Sequence, residues 1–171
     1  MTDLDSEWVA GLLPAEPDLS VPMQPPFLSA MEDKLDRRVN NIDLLLIAAT
    51  LAGAPELELT PIEDSEHPRV RRARRYRSDI TVYRAAAAGG GGVVVVGRGL
   101  GGRWEVAIEV DDSARDKGLG RALALAARHL IPEDRPVWAQ IAPANAASVR
   151  AFLAAGYVPV GAEALLVPRV P

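Results

Sequence analysis

The chain has 171 residues, no cysteine and two histidines, and it carries 19 basic against 23 acidic side chains for a formal net charge of −4. This size suits one compact domain with a short appendage. The lack of cysteine excludes disulfides and thiolate metal ligands, and two histidines argue against a histidine-based centre, so no metal is expected. The acidic balance argues against nucleic acid or an anionic membrane as the main partner.

The N-terminal segment shows little regular periodicity. Residues 1–26 contain five prolines and predict an extended arm, with at most one helical turn around Trp8. Ser29 followed by Glu32 matches a capping box, a pattern typical of a helix start, and predicts a helix at 29–39.

A continuous apolar run at 42–51 follows, and periodicity alone cannot assign it to a buried strand or to a helix. The longest apolar stretch, 44–52, is about half of the ~20 residues that a membrane-spanning helix requires. The acidic N-terminus does not have the layout of a signal peptide. These features predict a soluble cytoplasmic protein with no membrane partner.

From residue 57 onward, short β-rich and helical segments alternate, with small residues at 85–92 predicting a loose connection. The predicted elements, in chain order, are a strand at 57–60, a helix at about 67–78 that starts near Ser65, strands at 80–86, 93–100 and 104–110, a helix at 119–130, a strand at 137–142, a helix at 146–155, and short strands at 157–160 and 164–167. This order predicts an α/β fold around a mixed sheet.

The turn between the strand at 104–110 and the helix that follows it has the character of a phosphate site. Gly118 and Gly120 allow a close backbone approach, and the first N–H groups of the helix have no partner inside it. These groups and the helix dipole favour an anion. The turn matches neither of the common glycine-rich nucleotide-binding motifs.

A second motif, Asn145-Ala-Ala-Ser-Val-Arg-Ala-Phe-Leu-Ala-Ala-Gly-Tyr157, follows the next strand. With Arg-x-x-Gly-x-Gly at 115–120, it resembles the GNAT superfamily of acyl-CoA-dependent N-acyltransferases over about residues 80–171. The resemblance implies an α/β fold with a mixed, mostly antiparallel sheet flanked by helices. We therefore expect an atypical arm and helix or strand segment at 1–60 and a GNAT-like acetyltransferase core at 61–171. The family's first strand has no obvious counterpart, and 42–51 or 57–60 are the candidates.

The resemblance implies a site for acetyl-CoA as co-substrate. Backbone N–H groups at 115–121 would hold the pyrophosphate, and the Val110 N–H would polarise the thioester carbonyl. Asn145 would contact the pantetheine arm, although a helix cap explains it equally well. Asp116 stands where the family often has glycine. The implied cofactor contacts are Ile108, Val110, Arg115, Lys117, Gly118, Leu119, Gly120, Arg121, Asn145 and Phe152.

The catalytic groups are less defined. Phe152 stands where the family often has a tyrosine that protonates the leaving thiolate, and core packing explains a phenylalanine there. Tyr157 matches a packing aromatic of the family and is not assigned the acid role. Glu105 and Glu109 lie on one face of the strand at 104–110 and are candidate bases, although a solvated strand face explains them as well. Gln140, where some relatives carry glutamate, cannot be a base.

The densest charge run is the arginine-rich stretch at 69–77. It predicts the solvated face of a helix with Val70 and Ala73 turned inward. A nucleic-acid site is the less favoured interpretation, because the chain is acidic overall.

Taken together, these motifs predict an N-acetyltransferase that moves an acetyl group from acetyl-CoA to a primary amine by direct attack in a ternary complex. The acceptor would be a small molecule or a peptide, and the patterns do not identify it. The alternative is a non-catalytic acyl-CoA-binding sensor or scaffold of the same fold. Phe152 and Gln140 support this alternative. An apolar N-terminal half is compatible with a homodimer.

Overall fold

The computed structural model describes residues 4–63, 66–87 and 90–169. Within these ranges the chain forms five α-helices, namely α1 (Ser6–Ala10), α2 (Pro25–Leu35), α3 (Pro68–Tyr76), α4 (Leu119–Ala127) and α5 (Ala146–Ala154). The strands are β1 (Arg37–Ala48), β2 (Thr60–Ile62), β3 (Ser78–Ala87), β4 (Gly90–Arg98), β5 (Trp104–Val110), β6 (Val137–Ile141) and β7 (Val158–Pro168). They form an open sheet in the order β2-β3-β4-β5-β6-β1-β7. The expected α/β class with a mixed, mostly antiparallel sheet is therefore confirmed, and no helix within these ranges is long and apolar enough to cross a bilayer.

The chain divides into two compact units, one of residues up to Asp43 together with those from Ala162, and one of residues 44–161. In the first unit, Arg169 joins the end of the chain to its beginning. Its Nη2 donates to Oδ1 of Asp33 at 3.0 Å, and its Nε donates to the carbonyl of Arg37 at 3.1 Å. The single helical turn expected around Trp8 is present as α1, and Lys34 of α2 lies over the Trp8 ring.

Helix α2 begins and ends four residues earlier than the expected helix at 29–39. Ser29 is not its cap, because the helix begins at Pro25 after Gln24. Two prolines fill its first turn, where a missing N–H costs nothing, and Asp36 ends it in the left-handed conformation with φ of 50°. The Glu32 carboxylate accepts the N–H of Val39 instead of closing a capping box.

Strand β1 resolves the ambiguity of the apolar run at 42–51. It is a strand that lies between β6 and β7 and pairs antiparallel with β6, from Leu44 opposite Ile141 to Ala48 opposite Val137. Leu46 and Ala48 are both buried. A strand with neighbours on both sides and a covered surface requires apolar side chains, which explains the continuous run.

The hairpin of β3 and β4 is longer than the expected strands. Pairing continues to Ala87 opposite Gly90, so the expected loose connection over 85–92 is wrong. The ladder requires glycine at Gly92, where a Cβ would lie 2.7 Å from the backbone carbonyl oxygen of Glu109. The four valines that follow in β4 are buried because helices cover both faces of that strand.

Three further elements differ from the expected bounds. The expected strand at 57–60 begins at Thr60 and forms the sheet edge beside β3. The two short strands expected near the C-terminus are one strand, β7. Helix α3 begins after His67, which caps it, and the expected start at Ser65 lies outside the described residues.

The core of the larger unit lies on both faces of its sheet. On one face, α4 and α5 cover the sheet, and Phe152 packs edge-on against Tyr157 at 4.8 Å between ring centroids. On the other face, Val70 and Ala73 of α3 pack against Val82 and Val95. The expected inward orientation of Val70 and Ala73 is confirmed.

Candidate functional site

The parallel strands β5 and β6 pair only at their beginnings. Trp104 lies opposite Val137 and Glu105 opposite Trp138, and no later ladder pair joins the two strands within 104–110 and 137–141. On its other side, β5 stays paired with β4 as far as Val110 opposite Gly92. A gap therefore opens between β5 and β6 toward their carboxyl ends, the edge at which open α/β sheets commonly bind ligands.

The backbone of β5 presents hydrogen-bonding groups to this gap. The N–H of Asp111 donates to the carbonyl of Gly91 in β4 at 2.9 Å. Since successive residues of an antiparallel strand direct their N–H groups to opposite sides, the N–H groups of Ile108 and Val110 point away from β4 and into the gap.

A cavity of about 640 Å³ lies at the gap. Seven of the ten expected cofactor contacts line it, together with residues of α3 and α5 that sequence reasoning did not identify. The lining residues are Arg69, Ile108, Glu109, Val110, Ala114, Arg115, Asp116, Gly118, Gly120, Arg121, Asn145, Ala147, Ser148, Arg150, Ala151 and Ala154.

The turn before α4 exposes the helix N-terminus to the cavity. Gly118 caps α4 with φ of 82° and has no side chain to satisfy the first N–H groups. Asp116 is also left-handed, with φ of 60°, which explains why a glycine is suited to that position. A Cβ on Gly120 would make ordinary contacts with Cβ of Ala151 at 3.6 Å and Cγ2 of Val110 at 3.7 Å.

Cationic side chains predominate around the cavity. Arg115 pairs with Asp112 at 2.7 Å on the surface, whereas Arg121 and Arg150 make no ion pair with any described residue. Two carboxylates also line the cavity, those of Glu109 and Asp116. The site therefore combines helix N–H groups with free guanidinium groups, which suits a polyanionic ligand.

Three of the expected cofactor contacts lie elsewhere. Lys117 is exposed and donates through Nζ to the carbonyl of Ser113 at 2.9 Å. Leu119 and Phe152 are buried in the core of the larger unit and are not among the lining residues. Their side chains pack the helices on the sheet and do not face the cavity.

Asn145 both caps a helix and lines the cavity. Its Oδ1 accepts the N–H of Ser148 at 3.1 Å and so caps α5, and the residue also lines the cavity. The cap orients the first turn of α5 toward the gap, which brings Ser148 and Arg150 to the site.

The two candidate bases have different surroundings. Glu105 is 3% exposed, accepts hydrogen bonds from Nε of Arg77 and Nε of Arg103, and does not line the cavity. A solvated strand face is therefore the wrong description of Glu105. Glu109 lies four residues further along β5, where the strands have separated, and its carboxylate lines the cavity beside Arg69.

The arginine-rich stretch is a surface helix whose two ends have other roles. Arg69 pairs with Glu109 and Arg77 with Glu105, each through Nε at 3.0 Å. These contacts span 40 and 28 residues, so no local pattern in the sequence signals them. Arg69 in particular is a cavity residue that only the tertiary structure identifies.

Tyr157 does not face the cavity. It is 1% exposed, its hydroxyl donates to the carbonyl of Ala124 at 3.3 Å, and burial raises its pKa above the usual range.

Comparison of the sequence with protein-family models and with curated proteins finds no match. The chemistry that the cavity offers is therefore inferred from its own residues: a helix N-terminus suited to an anion, a strand edge whose N–H groups point away from β4, and the Glu109 carboxylate beside that edge.

Proposed function

We propose that the protein is an N-acetyltransferase that moves an acetyl group from acetyl-CoA to a primary amine. The observation that carries the proposal is the gap between β5 and β6, which opens in front of the N-terminus of α4. A pyrophosphate suits the unpaired N–H groups of a helix end. An extended amide-containing arm suits the free edge of a strand, because its carbonyl and N–H groups can pair with that edge.

The phosphate end of the ligand would be held by the turn at 115–121. Gly118 and Gly120 leave the backbone uncovered, and Arg121 adds a charged group without an ion-pair partner among the described residues. Charge-assisted hydrogen bonds of this kind are about twice as strong as neutral ones. Asp116 opposes the binding of an anion, and its carboxylate is the one unfavourable group in the turn.

The reacting end would lie where β5 and β6 have separated. The N–H of Val110 can donate to the thioester oxygen as negative charge develops on it. Glu109 can take a proton from the acceptor ammonium, directly or through water. The amine nitrogen then forms a bond to the acetyl carbon, and the carbon–sulfur bond breaks with its electron pair leaving on sulfur. The second amine proton passes through water to the thiolate.

The departure of the thiolate requires no protein acid. No tyrosine is present among the described lining residues, and Phe152 and Tyr157 are both in the core. A thiol has a pKa of about 8.5, so its anion is an adequate leaving group. Positioning of the amine against the thioester would supply most of the acceleration.

A second candidate is a non-catalytic acyl-CoA-binding module. It is favoured by the same absence of a tyrosine and by the pairing of Glu109 with Arg69, which reduces the availability of the carboxylate as a base. The two candidates differ in one measurable property, which is the release of free coenzyme A in the presence of an amine.

The test combines binding and turnover. Acetyl-CoA affinity is measured by calorimetry, and coenzyme A release is followed with a thiol reagent against amino acids, polyamines, aminoglycosides and peptides. The chain has no cysteine, so the protein gives no background thiol signal. Glu109→Gln keeps the size of the side chain and removes the base, and exposed Glu133→Gln is the matched control.

We expect micromolar acetyl-CoA binding by all three proteins. Turnover should fall about 100-fold or more in Glu109→Gln and stay unchanged in Glu133→Gln. Tight binding without thiol release for any amine would favour the binding module. No binding of acetyl-CoA would contradict both candidates.

A further inference from the structure

The cavity reaches both faces of the sheet. Side chains of a strand alternate between faces, so Glu109 and Val110 point in opposite directions. Glu109 contacts Arg69 of α3 at 3.0 Å, and Val110 lies next to Gly120 of α4. All four residues line one cavity, which therefore reaches both faces of the sheet at the carboxyl end of β5. The α4 side has the features of the coenzyme site proposed above. The acceptor would therefore bind on the α3 side.

The α3 side of the cavity presents a positive and a negative group next to each other. Arg69 and Glu109 are each about one-third exposed, and Arg69 uses only Nε for the contact. Among the described residues, neither terminal nitrogen of Arg69 has a hydrogen-bond partner. A guanidinium with two free terminal nitrogens in a cavity is suited to a carboxylate, which it binds through two parallel hydrogen bonds.

An acceptor that carries both charges would complement this pair. The ammonium of an α-amino acid can approach Glu109 while its carboxylate approaches the terminal nitrogens of Arg69. A simple amine would leave the free nitrogens of Arg69 unpaired, and its ammonium would be repelled by that guanidinium. The exposed arginines Arg74 and Arg75 of α3 disfavour polycations near the site for the same reason.

We propose that the acceptor is an amine with a carboxylate close to it, of the α-amino acid class, and that Arg69 binds the carboxylate while Glu109 receives the ammonium proton. This inference rests on the acetyltransferase function proposed above. In the reaction the amine nitrogen bonds to the acetyl carbon, the carbon–sulfur bond breaks, and one of the two protons lost from the ammonium neutralises the thiolate. The products are an N-acetylated amino acid, coenzyme A and one proton.

The test compares matched acceptors. Coenzyme A release is measured at saturating acetyl-CoA with each standard α-amino acid except cysteine, with the corresponding carboxamides, and with simple alkylamines. The same measurements are made on Arg69→Gln, on Arg69→Lys and on Arg72→Gln. Arg72 is exposed on α3 one turn away and does not line the cavity.

We expect kcat/KM for the best amino acid to exceed that for its carboxamide at least tenfold. Arg69→Gln should raise KM for that amino acid about tenfold and leave KM for the carboxamides unchanged. Arg69→Lys should recover part of the affinity, because it keeps the charge and loses the fork. Arg72→Gln should match the parent protein.

The outcomes separate this inference from the proposed function. Carboxamides or alkylamines acetylated as well as amino acids would overturn the inference and leave the acetyltransferase function in place. A higher Kd for coenzyme A in Arg69→Gln, with the acceptor KM unchanged, would assign Arg69 to a coenzyme phosphate and would also overturn it. No thiol release with any acceptor would overturn both proposals.

Discussion

Nε of Arg77 lies 3.0 Å from Oε2 of Glu105, and the two side chains are 11% and 4% exposed. Burial lowers the pKa of Arg77, and the attraction of Glu105 opposes that shift. Glu105 also accepts hydrogen bonds from Nε of Arg103 at 2.7 Å and from the N–H of Leu100 at 3.3 Å. One buried carboxylate therefore compensates two guanidinium groups and joins the end of α3 to the start of β5.

This relationship predicts that Glu105→Ala is strongly destabilising. Removal of the carboxylate leaves the largely buried Arg77 without its ion pair to Glu105 and takes one hydrogen-bond acceptor from Arg103, and the expected loss is about 3–5 kcal/mol in the free energy of unfolding. Arg77→Met should cost less, because Glu105 keeps Arg103 and because Nη1 of Arg77 is buried without a described hydrogen-bond partner. Urea unfolding measures both.

Arg84→Ala is the matched control for that comparison. Arg84 and Asp111 form a pair at 2.7 Å with 43% and 28% exposure, so its removal should cost at most about 1 kcal/mol. A similar loss in the free energy of unfolding for Glu105→Ala and Arg84→Ala would show that the buried cluster contributes no more to stability than the exposed pair.

Gly120→Glu should abolish coenzyme A binding while the protein stays folded. The position accepts a Cβ, since the nearest atoms would be at 3.6 Å and 3.7 Å, so the added carboxylate would extend into the cavity and repel phosphate. Gly120→Ala is the control and should bind nearly as well as the parent. Calorimetry with coenzyme A, with circular dichroism to verify folding, distinguishes them. Unchanged affinity in a folded Gly120→Glu protein would remove the turn at 115–121 from the site.

Asp116→Gly should be tolerated and should tighten coenzyme A binding. Glycine adopts φ of 60° without strain, so the free energy of unfolding should be unchanged or higher by up to about 1 kcal/mol. Loss of a carboxylate beside the phosphate should lower Kd about two- to fivefold. Asp116→Asn separates the two effects, because asparagine also tolerates the left-handed region and removes the charge. If neither variant changes Kd, the side chain points away from the ligand.

Tyr157→Phe should change the pH dependence of stability. Burial raises the pKa of Tyr157, so above pH 10 the unfolded chain loses this proton and the folded protein keeps it. The stability from the neutral phenol is complete below pH 10 and falls as the pH rises, by at most about 1.4 kcal/mol per pH unit. The variant should lack this decline, which urea unfolding between pH 8 and pH 11 would detect.

The same variant tests the catalytic assignment. The hydroxyl of Tyr157 is held in the core by the carbonyl of Ala124, so coenzyme A release should change less than about twofold at neutral pH. A large loss of turnover with intact acetyl-CoA affinity would mean that the hydroxyl reaches the reacting sulfur and that the acid was misassigned.

Most helices and strands of the second half of the chain followed from sequence patterns, and β7, which was expected as two strands, is the exception. Strand β5 has its expected bounds, and α5 begins after Asn145 and ends before Gly156, because local capping rules specify those ends. Elements near the N-terminus were less predictable. Two prolines, and not Ser29, begin α2, and periodicity did not distinguish a strand from a helix in β1.

The sequence by itself determined the strand–turn–helix order around 104–127, the glycine turn at 118–120 and the cap at Asn145, because each depends on residues within a few positions of one another. The tertiary structure decided which side chains share the cavity. Glu105 and Glu109 have the same pattern in the strand, yet Arg77 and Arg103 bury the first, and the separation of β5 from β6 opens the second to the cavity beside Arg69. Pairing over 28 to 40 residues depends on how α3 packs on the sheet, and neither periodicity nor capping encodes that packing.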